Sequence, residues 1–364
     1  MKKIPIIDIT DLYHPYQDPG DNFDILTAYA LPEIDLKAVL LDVTEEYRHQ
    51  RQPDTSNGSE IELREPGIIP VAQCNYIFGK SVKYGIGAFE RMKTEYDRLE
   101  KCSKFMNASD VLIEVLRETN EPVHILCFGS LRILAAAYNR EPELLKEKIA
   151  RIHVSAGSSG HYLEWNVLLD PLAFVRIMRS DLPIYFYPCA TENGPFDIGA
   201  NNTYWKLDDI SFVHKMHPQL RRYMTYVFSR SKRPDFLNCL ENDIISEKII
   251  DTVKKHNVWE TAIWMNVAGR ALVKTKDGYR YLPNDMADKS EIALREEILP
   301  CRLSVNDEGY VEFCLTSSET NIGIYSRGIP DNLNYMLGDA LAALYTDYTC
   351  LLYTSPSPRD RQKS

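Results

Sequence analysis

The stretch IIDITDLYHPYQDPGDNFDILTAYAL, residues 6–31, decides the fold. The apolar run Ile4–Ile9 reads as a buried strand. Behind it, Asp8, Asp11, Asp18, Asp21 and Asp24 crowd one turn-rich segment in which Pro19-Gly20 bends the chain sharply. From about Asn22 the text turns helical, with Phe23, Leu26, Ala30 and Leu31 on one face. Carboxylates are thus gathered where a strand ends and a helix begins, the edge at which open α/β sheets bind ligands. Carboxylates this close repel one another unless a cation joins them. Oxygen-only ligands favour a hard ion, Ca²⁺ or Mg²⁺. An EF-hand is excluded, because its spacing and closing glutamate are absent. Asp21 equally fits an N-cap, with Asp24 completing a capping-box-like pair.

Outward from that stretch, Asp35–Val43 reads as a second strand, so the opening unit is strand–helix–strand. Glu45–Arg64 is polar and loop-like, and Gly67–Val71 is a short apolar segment. Glu90–Lys104 has a charged helical pattern, and Ala108–Glu118 an amphipathic one. Strands follow at Pro122–Phe128, Ile149–Ser155 and Leu182–Tyr187, alternating with helices at Leu131–Asn139 and Asp170–Arg179. The alternation predicts an open, mostly parallel, Rossmann-like α/β sheet flanked by helices. Helices are expected at Gln219–Ser229, Ile244–His256 and Leu333–Tyr345, an irregular run at Lys274–Arg302 and a strand at Val311–Leu315. No linker stands out, so residues 1–349 are expected to form one domain with insertions. The last stretch, 350–364, is proline-interrupted and unrelated to the pattern before it, and reads as a non-native tail on a truncated C-terminus.

The chain carries 42 Lys+Arg against 52 Asp+Glu, a net charge of −10. That balance argues against a nucleic-acid backbone as partner. No apolar run approaches a membrane span and the N-terminus is a poor signal peptide. The 8 cysteines are scattered without a C-x-x-C pair, which fits free thiols in a reducing cytoplasm.

Four stretches carry a resemblance. They are Asp18-Pro-Gly-Asp-Asn-Phe-Asp; His124-Ile-Leu-Cys-Phe-Gly-Ser-Leu with Arg140-Glu-Pro-Glu-Leu; Gly157-Ser-Ser-Gly-His-Tyr-Leu-Glu-Trp-Asn with Asp170-Pro and Leu182-Pro-Ile; and Met336-Leu-Gly-Asp-Ala-Leu-Ala. In order and spacing the chain resembles the calcium-dependent nucleoside hydrolases of the inosine–uridine-preferring type. The resemblance implies hydrolysis of the N-glycosidic bond of a ribonucleoside or related N-riboside by a Ca²⁺-activated water. It implies that Asp18 is general base and metal ligand, with Asp11 its rival, and that Asp24 is a ligand. It puts Asp21 or Asn22 on the ribose, the Phe128 carbonyl on the metal, and Glu164 and Asn166 on the sugar. It makes Asp339 a calcium and ribose ligand. The expected partner is a small nucleoside-like molecule in the cytoplasm, with neither nucleic acid nor membrane, and a homo-oligomer is allowed.

The departures are specific. Thr44-Glu-Glu stands where the family has Asn, Ser158-Ser-Gly where it has Gly-Asn, and Gly338 where part of it has an acidic His. They leave a different glycoside as substrate, or an inactive ribose- or nucleoside-binding protein on the same scaffold; the pattern alone also allows another metal-dependent α/β hydrolase. On their own pattern, Glu164 and Asn166 also fit helix caps and Asp170 reads as one. His214-x-x-His217 lacks a third ligand, and Trp264 reads as core.

Overall fold

The computed structural model describes residues 3–12, 19–45, 49–50, 62–63, 67–100, 105–231 and 233–353. Asp18 and residues 354–364 of the expected tail lie outside them. The main sheet has nine strands: β1 (Ile4–Thr10), β2 (Ile34–Leu41), β3 (Lys83–Ile86), β4 (Val123–Phe128), β5 (Ile149–Ser155), β6 (Ile184–Tyr187), β7 (Glu296–Val305), β8 (Val311–Leu315) and β9 (Ile322–Arg327). Their spatial order is β8-β7-β9-β6-β5-β4-β1-β2-β3. β7 is antiparallel to β8 and β9, and every other neighbouring pair is parallel. This is the open, mostly parallel sheet expected from the alternation.

The helices used below are α1 (Pro19–Ala30), α2 (Ile68–Phe78), α3 (Ala108–Glu118), α4 (Arg132–Arg140), α5 (Trp165–Leu169), α6 (Pro171–Met178), α7 (Pro218–Phe228), α8 (Thr261–Ala268) and α9 (Leu333–Tyr353). They cover both faces of the sheet. Ile6, Leu126 and Phe128 pack with α1, α2, α7, α8 and α9. Ile7, Ile9, Ile125 and Cys127 pack with α3, α4 and α6 on the other side. Burial on both faces explains why β1 and β4 read as continuous apolar runs rather than alternating ones. Among the described residues, no helix is long and apolar enough to cross a membrane.

The chain builds β1, β2 and β3 outward in one direction and β4, β5 and β6 in the other, so the strand order reverses between β1 and β4. Such a reversal opens a crevice beyond the strands' carboxyl ends. Thr10 is level with Leu41 on β2 and with Phe128 on β4. The residues just past those ends therefore crowd together. A Cβ on Gly129 would stand 2.7 Å from Asp42 Oδ2 and 3.2 Å from Asp11 Cβ, so only glycine fits there.

Helix α9 closes one face. Tyr345 donates its hydroxyl proton to the Phe23 carbonyl at 2.7 Å, and Thr27 Oγ1 lies 2.7 Å from the same hydroxyl. The ring stacks on Phe212, with centroids 5.8 Å apart. Tyr345→Phe keeps the ring and removes the bond. It is expected to cost about 1 kcal/mol, read as a lower urea midpoint at unchanged slope.

Asp8 points into this apolar layer. It is 1% exposed, and its Oδ1 has no hydrogen-bond partner among the described residues. Burial pushes its carboxyl up to about 8. The folded state therefore holds a proton that the unfolded chain releases near pH 4. Stability attached to this group is complete below that pH and is lost as pH rises toward 8, on the order of a few kcal/mol in all. Asp8→Asn removes that slope. Urea midpoints measured for both proteins from pH 4 to 8 should diverge in favour of the variant as pH rises.

The structure corrects several local expectations. Helix α1 begins at Pro19, before Asn22, with proline in the first turn where its missing N–H costs nothing. Asp21 is consequently inside the first turn and is not the cap. Residues 90–100 are irregular rather than helical. Their carbonyls are captured from α4: Asn139 donates to Glu95 and Asp97, and Arg140 to Arg98 and Leu99. The apolar segment at Gly67–Val71 opens helix α2. Of Ile244–His256 only Glu247–Ile250 is helical. Inside Lys274–Arg302 lie most of a hairpin, Arg270–Thr275 with Gly278–Pro283, and the first part of β7. Helix α9 runs to Tyr353, past the expected start of the tail at residue 350.

Candidate functional site

The first turn of α1 carries Asp21 and Asn22, and Asp24 follows in the second turn, all buried. The helix begins immediately beyond the crevice at β1, and its amino end favours negative charge. A third carboxylate arrives from far along the chain. Glu260 sits directly before α8 and accepts the Trp259 backbone N–H at 3.0 Å. Carboxylate oxygens of Asp21, Asp24 and Glu260 all lie within 4.8 Å of one another. Three carboxylates on two elements repel strongly unless a cation sits between them. The donors are all oxygens, which suits a hard divalent ion.

Further carboxylates surround the cluster. Glu164 is buried as the N-cap of α5, where its Oε1 accepts the Asn166 N–H at 3.0 Å. Its Oε2 accepts the Gly157 N–H at 2.8 Å. Burial pushes the Glu164 carboxyl up to about 7, against the pull of those backbone N–H groups and with added repulsion from Glu260. Burial likewise raises the Cys189 thiol, with Glu164, Glu260 and Asp11 adding to it. Asp11, Glu164 and Glu260 thus all lie within electrostatic range of the Cys189 thiol. Asp11 is buried at the end of β1 against Gly129. Phe128 ends β4 beside it, with its ring 5.7 Å from that of Trp264, which is core as expected.

The remaining sequence candidates divide. Asn22 accepts the Tyr223 hydroxyl proton at 2.7 Å and so is tied to α7. Asn166 donates its amide to the Ser155 carbonyl at 2.8 Å. Asp170 caps α6 as expected, accepting from Ala173 N–H at 3.3 Å. Asp339 is not one of the clustered carboxylates. It lies on α9, where Oδ2 accepts the Tyr279 N–H at 2.7 Å and stands 4.0 Å from Arg280 Nη1. An acid in apolar helical text signals a partner; Asp339 is half-buried, and its partner is the hairpin that α9 covers. The third clustered carboxylate is instead Glu260, whose available signal was an acid immediately ahead of the apolar helix Thr261–Ala268.

Sequence reading also missed the support beneath the site. Asp42, past the end of β2, accepts Ser130 N–H at 2.6 Å and the Ser130 hydroxyl at 3.0 Å. Arg132 is fully buried. It donates to Asp170 at 2.8 Å, to the Val43 and Ala88 carbonyls at 3.0 and 2.7 Å, and to Thr44 and the Leu169 carbonyl at 3.2 Å each. One guanidinium thus ties β2's end to α5 and α6, and Thr44 is spent on it.

Known proteins were compared with this architecture. A family model described as inosine-uridine preferring nucleoside hydrolase matches residues 25–259. The pyrimidine-specific ribonucleoside hydrolase RihA of Enterobacter sp. (strain 638) is 38% identical over 82 residues, 21% of this chain and 26% of that protein. RihA of Escherichia coli O1:K1 / APEC is 28% identical over 181 residues, 46% of this chain and 56% of that protein. The chain thus matches from a quarter to little more than half of these relatives' length. A solved inosine-uridine preferring nucleoside hydrolase from Bacillus anthracis aligns over 97% of this chain and 99% of its own, at 14% identity and a TM-score of 0.47. With the family model matching well over half of its residues, the chain belongs to the inosine-uridine preferring nucleoside hydrolase family.

Proposed function

We propose that this protein hydrolyses the N-glycosidic bond of a ribonucleoside or related N-riboside, with Ca²⁺ held by Asp21, Asp24 and Glu260. The convergence of these three carboxylates at the crevice carries the reading. A bound Ca²⁺ fixes a water beside the sugar and makes it more acidic. The Phe128 carbonyl, at the same edge, is a fourth donor for the ion. An aspartate takes the proton of the attacking water. Of the two the sequence leaves open for that role, Asp11 stands on this edge beside Gly129, while Asp18 lies outside the described residues. Glu164, the N-cap of α5, and Asn166, in that helix's first turn, are the ribose contacts, together with Asn22. Attack at C1′ passes through an oxocarbenium-like state, which surrounding carboxylates stabilise. The same reading places the protein in the cytoplasm, in salvage of bases and ribose.

A second reading, a ribose or nucleoside binder without catalysis, is favoured by one observation. Thr44, standing where the family has Asn, is engaged by Arg132 rather than offered to a ligand. Calcium titration by calorimetry, followed by release of reducing sugar from inosine and uridine, separates the two. Calcium binding with turnover supports the enzyme. Calcium-dependent ribose binding without turnover supports the binder. A folded protein that binds no calcium sinks both.

A further inference from the structure

Beside the acidic cluster stands a group of three aromatic rings. Trp259 immediately precedes Glu260 and lies 5.3 Å from Tyr204 and 6.0 Å from Phe196, ring centroid to centroid. Phe196 and Tyr204 are 6.0 Å apart. Phe196 is 64% exposed, an apolar ring set against Trp259, the residue before Glu260. The polar tips of the group are already committed. The Trp259 indole N–H is donated to the Cys189 carbonyl at 2.9 Å, and the Tyr204 hydroxyl to Asn257 Oδ1 at 3.0 Å. What the group offers a ligand is therefore π surface, with no proton.

We propose that this site prefers N-ribosides whose aglycone nitrogen is already positively charged, such as a pyridinium riboside. The proposal rests on the ribosyl-hydrolase reading above and names its substrate class. A flat cation is attracted both by aromatic faces and by the carboxylates around Glu260. The chemistry agrees. When the C1′–N bond of a neutral nucleoside breaks, its electron pair leaves on nitrogen as an anion unless an acid supplies a proton. From a pyridinium riboside the same pair neutralises the nitrogen, and the free pyridine departs unassisted. Water adds its hydroxyl to C1′, and its remaining proton passes to a carboxylate and then to solvent. Cation plus water thus gives ribose, neutral pyridine and one proton.

The test compares nicotinamide riboside, uridine and 4-nitrophenyl riboside on the full chain with calcium, with Phe196→Ala beside the unaltered protein. The nitrophenyl riboside also needs no acid but is uncharged. The expected order in kcat/KM places nicotinamide riboside about a hundred-fold above uridine, the usual worth of a general acid. Phe196→Ala should raise KM for nicotinamide riboside about five-fold while changing that for the nitrophenyl riboside less, as loss of a cation–π contact requires. Cleavage of nitrophenyl riboside with uridine equal to or better than nicotinamide riboside overturns the proposal and leaves ribosyl hydrolysis standing. An equal effect of Phe196→Ala on both aromatic ribosides overturns the charge argument. No cleavage of any of the three overturns the underlying reading and the proposal together.

Discussion

Asp24→Ala is expected to abolish calorimetric calcium binding and to lower the proposed nucleoside hydrolysis more than about a hundred-fold, the upper range for loss of a group that merely supports a metal ligand. The expectation follows from the small size of the donor set. Only Asp21 and Glu260 remain of the three clustered carboxylates, too few for a hard ion that takes about six or more oxygens. The fold should not suffer. Alanine is the best helix former, and removing one of three close carboxylates relieves repulsion in the calcium-free protein. The variant should therefore unfold at an equal or higher temperature without calcium, and lack the calcium-induced rise expected of the unaltered protein. Retention of that rise would remove Asp24 from the metal site.

Arg132→Met has the largest expected effect on stability. The guanidinium is completely buried, and its loss strands the Asp170 carboxylate, the Val43, Ala88 and Leu169 carbonyls and the Thr44 hydroxyl. It also withdraws the positive charge that offsets burial of Asp42. Breaking such a pair from one side costs about 3–5 kcal/mol. Denaturant unfolding should show this as a lower midpoint. Adding Asp170→Asn to Arg132→Met should recover part of the loss, because the stranded charge disappears while the cap of α6 can survive. Absence of any recovery would place the damage in the carbonyls rather than in the ion pair.

Much of the fold was legible because its cause is local. The buried strands β4 and β5 announce themselves as apolar runs with fixed ends, and Ala108–Glu118 as a helix with one apolar stripe. Residues 90–100 carry the same kind of charged text. Their conformation is set by the amide of Asn139 and the guanidinium of Arg140, partners that no window around them contains. The hairpin at Thr275–Gly278 did have a local signal, Asp277-Gly278, with Gly278 at φ 112°. Its strands were obscured by lysine, arginine and tyrosine, which suit a partly exposed ribbon.

The site divides along the same line. Asp21 and Asp24 were legible because they stand in the segment that leads from a strand into a helix and open that helix. Glu260 was not, since two acid-bearing helices late in the chain offered equal patterns and only packing chooses between them. Asp339 went to Tyr279 and Glu260 to the cluster. Arg132 looked like one polar residue in an alanine-rich helix. That its five donors would all be used could be known only once β2, α5 and α6 had come together.

The sheet's connectivity has a consequence in time. β9 joins β6 through Ile322 beside Ile184, and between them the chain, Glu260 included, makes a long excursion that returns through the antiparallel strands β7 and β8. Asp21 and Asp24 belong to the compact β1–α1–β2 unit, whose contacts are near in sequence and cheap to close. Refolding should thus yield secondary structure first and calcium capture last, and a stopped-flow record in which both rise together would contradict that order. The ion, when it binds, marks a chain whose distant half has already returned.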